Sequence, residues 1–143
     1  VTGDFPDVNV LLALAWPNHQ FHSAAHRWFG EGTVPWHTCA VTQLGFIRLS
    51  ANPAFTRFAR TPREAVQLLR SMVLHPRHAF LAESGPLIDA SFESVASRLL
   101  GHQQVTDAYL IALAHVNGLR LVTFDRRIQA ISPFEGVVRF LGD

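Results

Sequence analysis

The chain has 143 residues, 48% of them apolar, and a formal charge of +1 from 12 basic and 11 acidic side chains. That length suits one domain over residues 1–143 around one sizeable core, and near neutrality excludes a protein that coats nucleic acid through many phosphate contacts. A single cysteine, Cys39, excludes a disulfide framework or a cysteine zinc cluster and makes a reducing cytoplasm the simplest home, while the opening apolar run is too short and too interrupted for a signal peptide or a membrane span.

Phe5 to Asp7 reads as a short strand, and Val8 to Trp16, apolar at nearly every position, as a buried helix that starts near Asn9 and stops at Pro17. A second helix is predicted from about His19 to Phe29, ended by Gly30 and Gly32. Thr33 to Thr38 forms the second strand and Val41 to Leu49 the third helix, which ends before Asn52-Pro53. Pro62 fits the first turn of a helix running to about Leu74, with Glu64 near its start and Arg70 near its end. Ala79 to Ala82 is the third strand and Ser91 to Leu100 a further helix. The clearest unit follows: Thr106 as N-cap, a helix through DAYLIALAHVN, Gly118 as C-terminal glycine, then the strand LRLVTF ending in Asp125. RRIQAI makes a short helix, and Gly136 to Leu141 a last strand. The apolar strands LRLVTF and GVVRFL fit inner positions of a sheet. Helices alternating with short apolar strands predict an α/β fold with a mostly parallel sheet covered on both faces.

In such a sheet, sites gather beyond the carboxyl ends of the strands. Asp7 and Asp125 fall at that edge, and Asp107 falls in the first turn of the late helix, where the helix N-terminus favours its charge. Three carboxylates packed together repel one another unless a cation holds them, and hard oxygen donors suit Mg²⁺ or Mn²⁺. Such an ion would serve hydrolysis of a phosphodiester. Asn9 and Thr123, each two residues from an acid, are placed to hydrogen-bond the carboxylates. Every basic residue is an arginine, and Arg48, Arg126 and Arg127 are candidates to hold a substrate phosphate or a partner's carboxylate.

FPDVNVLLAL (Phe5 to Leu14), VTQLGFIRLSANP (Val41 to Pro53) and VTDAYLIALAHVNGLRLVTFDRRI (Val105 to Ile128) together resemble the PIN-domain ribonucleases, specifically the VapC-like toxins of bacterial toxin–antitoxin pairs. The resemblance implies a three-layer sandwich with a mostly parallel central sheet of about five strands flanked by helices. It also implies a Mg²⁺- or Mn²⁺-dependent endoribonuclease that cuts RNA by metal-activated water, leaving a 5′ phosphate and a 3′ hydroxyl. Asp7, Asp107 and Asp125 match the family's acids as metal ligands, and a small cognate antitoxin and a homodimer are the implied partners. One departure matters. Where the family commonly has a glutamate, this chain has Gln43, which offers a metal one neutral oxygen and cannot act as a base. Weaker or more Mn²⁺-favoured metal binding is the expectation. Two alternatives stay open: a PIN-like domain that binds RNA or protein without cutting, and a metal-dependent phosphoesterase acting on DNA.

Other residues carry less. His22 and His26 share a helix face at i,i+4 but have no expected acid or cysteine to complete a metal site, so a solvated face is the reading. Trp16, Trp28 and Trp36 read as helix packing and partner contact. Cys39 beside His37 lacks an orienting third group, and Ser84 and Ser91 lack a nucleophile elbow.

Overall fold

The structure is a computed structural model that describes residues 2–83 and 89–142. Ser84 lies outside the described residues. The elements in chain order are β1 (Asp4–Pro6), α1 (Val8–Ala15), α2 (His22–Glu31), β2 (Trp36–Thr38), α3 (Ala40–Ser50), α4 (Pro62–Val73), β3 (His78–Phe80), α5 (Ala90–Ala96), a 3₁₀ turn (His102–Gln104), α6 (Val105–Val116), β4 (Arg120–Thr123), α7 (Arg126–Ile131) and β5 (Val138–Phe140). All five strands are parallel in the order β3-β2-β1-β4-β5. The expected α/β sandwich is therefore present, and its sheet is wholly rather than mostly parallel.

Period two along the strands sorts the sheet into two faces. Phe5 and Leu121, partners in register, enter one core with Val95 of α5, Leu110 and Ile111 of α6 and Ile128 of α7. Trp36 and Val122 enter the other, with Val10, Leu11 and Leu12 of α1, Trp28 of α2, Phe46 of α3 and Leu69 of α4. A helix on each face is what parallel connections demand.

On the second face, close contact between α1 and α3 depends on Gly45, because a Cβ there would stand 2.7 Å from Val8 Cγ2. Gly45→Ala is expected to cost about 1–2 kcal/mol, the overpacking strain outweighing the gain in helix propensity. Val8→Ala in the same chain should recover most of it in urea unfolding.

Several boundaries differ from the sequence reading. Gly30 is a helical residue of α2, and only Gly32 caps it. Thr106 is not the cap of α6: the helix begins at Val105 directly from the 3₁₀ turn, with no side-chain cap. The strand GVVRFL lies at an edge rather than inside, and its three paired residues are half-buried or exposed; Val137, just before it, supplies its buried contact. The solvated face read for His22 and His26 is present in part, His26 being exposed and His22 half-buried. Their rings lie tilted with centroids 4.2 Å apart and contact the Ala13 and Leu14 carbonyls at 2.8 and 2.9 Å, occupying acceptors left open at the end of α1. Among the described residues no helix is long and apolar enough to cross a membrane.

Candidate active site

Strand β1 has partners on both sides, and the chain leaves it toward β2 on one side and receives β4 on the other. A crevice opens beyond the carboxyl ends of adjacent strands at such a reversal of strand order. Asp7 follows β1 there, its amide still donating to the Val122 carbonyl of β4 at 3.0 Å. Two residues beyond Phe5, it lies on the face covered by α6, as does Thr123, two beyond Leu121. Because α6 leads into the parallel strand β4, it runs antiparallel to the strands and starts at their carboxyl edge. That direction places Asp107, in its first turn, at the same edge as Asp7 and Asp125.

Asp7 is 4% exposed and is the N-cap of α1. Its Oδ1 accepts from the Val10 amide at 3.0 Å, and its Oδ2 accepts from the Thr123 hydroxyl at 2.6 Å. The same hydroxyl accepts from the Asp125 amide at 3.0 Å, which ties the two acids through one side chain. Burial pushes the Asp7 carboxyl up to about 6 against these hydrogen bonds, and the charges of Asp107 and Asp125 push in the same direction. Asp107 also stands at about 6, raised first by burial and then by Asp125.

Asp125 differs. Arg127 grips it with both ends of its guanidinium, Nε to Oδ1 at 3.1 Å and Nη2 to Oδ2 at 2.9 Å, and its backbone amide adds a third bond at 2.9 Å. Arg127 thereby holds this carboxyl below the usual carboxylate range. The guanidinium is 76% exposed, so the pair is weak in energy and open to displacement by another charge.

The donor chemistry suits a small divalent cation: of the three carboxylates, Asp7 is raised by burial and by the charges of Asp107 and Asp125, and Asp107 by burial and by Asp125, which is what such an ion relieves. Among the described residues, however, no group of three His, Cys, Asp or Glu side chains is drawn together tightly enough to enclose an ion. The aspartates feel one another's charge without forming a closed cage, and Arg127 occupies one of them.

The remaining predicted residues separate. Asn9 is exposed in the first turn of α1 and has no hydrogen bond to a carboxylate among the described residues. Gln43 stands in the first turn of α3, also at the carboxyl edge, but its amide nitrogen donates to Thr38 Oγ1 at 3.0 Å and not to an aspartate. Arg48 is in the last turn of α3, roughly 12 Å along the axis from its start, while Arg126 lies over the Phe140 ring at 4.5 Å. Cys39 is buried and its thiol is pushed up to about 11 by burial and Glu83, which removes it as a nucleophile. A cavity of about 310 Å³, lined by Leu100, Gly101, His102, Gln103, Gln104 and Arg127, opens beside the acids. Sequence reasoning missed this cavity because the 3₁₀ turn that shapes it carries no periodic signal.

Comparison with known proteins agrees with this architecture. The PIN domain pattern matches residues 5–132. Ribonuclease VapC39 of Mycobacterium tuberculosis is 41% identical over 136 residues, covering 94% of this chain and 96% of the relative. Ribonuclease VapC38 of the same organism is 40% identical over 120 residues, covering 83% and 82%. The crystal structure of M. tuberculosis VapC20, described as a sarcin–ricin loop cleaving toxin, superposes with a TM-score of 0.62 at 17% identity, covering 89% of this chain and 93% of the other; at that identity the likeness concerns the fold alone.

Proposed function

The chain belongs to the PIN-domain family, with VapC ribonucleases as close relatives, and on that premise we propose that it is a Mg²⁺- or Mn²⁺-dependent endoribonuclease, the toxin of a toxin–antitoxin pair. What supports the reading is that Asp7, Asp107 and Asp125 all stand at the carboxyl edge of the sheet, where the Thr123 hydroxyl donates to Asp7 at 2.6 Å and accepts from the Asp125 amide at 3.0 Å. These three aspartates would hold the cation, which would supply charge neutralisation and Lewis-acid activation to phosphodiester hydrolysis.

The chain's own residues do the rest. Thr123 fixes Asp7 Oδ2 and the Asp125 backbone in one frame, which presets two acids before any ligand arrives. Asp107, half-buried and raised by burial and by Asp125, is a ligand whose charge a bound cation would relieve. Arg127, on the wall of the 310 Å³ cavity and bound to Asp125 only through an exposed pair, would hold a substrate phosphate with the same bidentate fork. Gln103 and Gln104 on the same wall carry amides suited to the edges of unpaired bases.

For the cognate antitoxin, the outer face of α3 carries Leu44, which is 65% exposed, one turn before Arg48. An apolar and basic pair at i,i+4 suits a short acidic segment. A homodimer completes the proposed assembly. A second reading, a PIN-like domain that binds without cutting, draws on Arg127's grip on Asp125 and on Gln43.

Incubation of total cellular RNA with the chain and Mg²⁺ or Mn²⁺, with mapping of new 5′ ends, separates the two. Discrete ends bearing 5′ phosphate, absent with Asp7→Asn, are expected. Intact RNA under both metals, together with no specific Mn²⁺ binding, would favour the non-cutting reading.

A further inference from the structure

Gln43 replaces an acid with an amide, and an amide has two unlike ends. If its NH2 faces the carboxyl edge, it presents hydrogen to an incoming cation; if its carbonyl faces that edge, it presents a lone pair. A freely rotating amide would do both.

The surroundings of Gln43 remove that freedom. Its Nε2 donates to Thr38 Oγ1 at 3.0 Å, and Thr38 Oγ1 lies 2.8 Å from His78 Nε2. Thr38 is fully buried at the end of β2, in register with Phe80 of β3 and two residues beyond Trp36, the register partner of His78. A hydroxyl carries one hydrogen, and among the described residues Thr38 has these two side chains as its partners. Two arrangements satisfy all three groups. In one, Gln43 donates to Thr38 and Thr38 donates to a bare His78 Nε2. In the other, His78 donates, Thr38 passes its hydrogen to the Gln43 carbonyl, and the NH2 is turned outward. A mixed arrangement leaves the hydroxyl hydrogen buried without an acceptor, at a cost of about 1–3 kcal/mol.

We propose that His78 and Thr38 are positioning residues, a two-bond relay in which the bare Nε2 of His78 fixes the direction of the Thr38 hydroxyl and so fixes Gln43 with its carbonyl oxygen as the free end at the carboxyl edge. Among the described residues nothing donates to that oxygen. The relay makes an amide at this position useful toward a cation, and in that respect it rests on the metal-dependent reading above. The neighbourhood favours the neutral imidazole that the relay needs. Burial, followed by the charges of His37 and His75, holds His78 below its ordinary value, and Trp36 packs on its ring at 4.7 Å.

Nitrogen NMR of the full chain, without metal or RNA, reads the relay directly, because a protonated ring nitrogen and a bare one resonate far apart. His78 should carry its hydrogen on Nδ1 with Nε2 bare. In Gln43→Glu the carboxylate can only accept, so Thr38 must donate to it and His78 must move its hydrogen to Nε2. A protonated Nε2 in the native chain, or the same tautomer in both proteins, overturns the proposal.

The link to the site is read by titration with Mn²⁺ alone. Thr38→Val keeps the volume and removes the relay, and should weaken Mn²⁺ binding about tenfold; Thr38→Ser should restore it. Equal affinity in the native chain and Thr38→Val overturns the link. Failure of the native chain to bind Mn²⁺ counts against the metal-dependent reading, whereas the tautomers still decide the orientation of Gln43.

Discussion

Asp7→Asn should cut RNA more than about 100-fold more slowly than the native chain and yet be the more stable protein when no metal is present. Both halves follow from the same carboxylate. On the proposed reading Asp7 is one of three acids that would hold the cation, and its amide replacement has no charge to do so. Its folded-state pKa of about 6 against an ordinary 3.8 means that burial disfavours its ionised form. A carboxyl raised in this way stabilises the fold only below its unfolded value, and that stability is lost as pH rises through the window from about 4 to about 6. By pH 7 the penalty is about 3 kcal/mol. Asp107, raised to about 6 as well, titrates in the same window, with a smaller effect because it is only half-buried.

Asparagine retains the N-cap oxygen that accepts from Val10 and ranks with aspartate as a cap, while its NH2 cannot accept from the Thr123 hydroxyl, a loss of about 1–2 kcal/mol that offsets part of the gain. The variant should therefore melt roughly 5 °C above the native chain at pH 7.5 without metal. The gap should close at pH 4, and Mn²⁺ should raise the melting temperature of the native chain alone. Full cleavage by Asp7→Asn would remove it from the site, and a native stability flat from pH 4 to pH 7 would contradict the electrostatic account.

Arg120→Ala should be among the most damaging single changes to stability. Asp4 of β1 is 3% exposed, and Arg120, its partner in register on β4, binds its Oδ1 through Nε at 3.3 Å and Nη2 at 3.1 Å. The Trp28 indole of α2 donates to the other oxygen at 2.9 Å. Removing the arginine leaves a buried carboxylate with one neutral donor, at an expected cost of about 3 kcal/mol. That is the low end for such losses, because the arginine is itself one-third exposed, at 33%. Asp4→Asn combined with Arg120→Ala should cost less than Arg120→Ala alone, since the orphaned charge is gone. Urea unfolding of the three variants measures this coupling, and additive losses would exclude it. Cleavage per folded molecule should be unchanged, because the pair lies at the start of β1 and the acids beyond its end.

The predictive power of the sequence varied with the kind of signal. Asp7 and Asp125 were readable because each sits where an apolar strand ends and a helix begins, a junction with its own residue preferences. The approach of Asp107 was only half readable: its helix was plain, but the edge from which that helix starts depends on the parallel sense of β4. The Asp4–Arg120–Trp28 group left no trace, since an acid three residues before a better candidate, an arginine 116 positions away and a tryptophan at helical spacing match no pattern until the sheet is assembled. Gln43 stood out in the sequence as a departure from the family pattern, yet its partner Thr38 lies on β2 and that residue's partner His78 on β3, so its orientation could not be read from α3 alone. The expected cap at Thr106 failed for a local reason, because the 3₁₀ turn already supplies helical geometry at Val105.

Strand β1 reaches its neighbour β4 across 116 positions, and Thr123 closes on Asp7 across the same span. At synthesis rates of 5–20 residues per second, roughly ten seconds separate the emergence of the two strands from the ribosome. Until then Asp7 has no Thr123 to fix it and no Asp107 or Asp125 beside it. On the proposed reading, a nascent chain would thus be harmless until its last quarter has been made, because its cutting site would form only when its two ends meet.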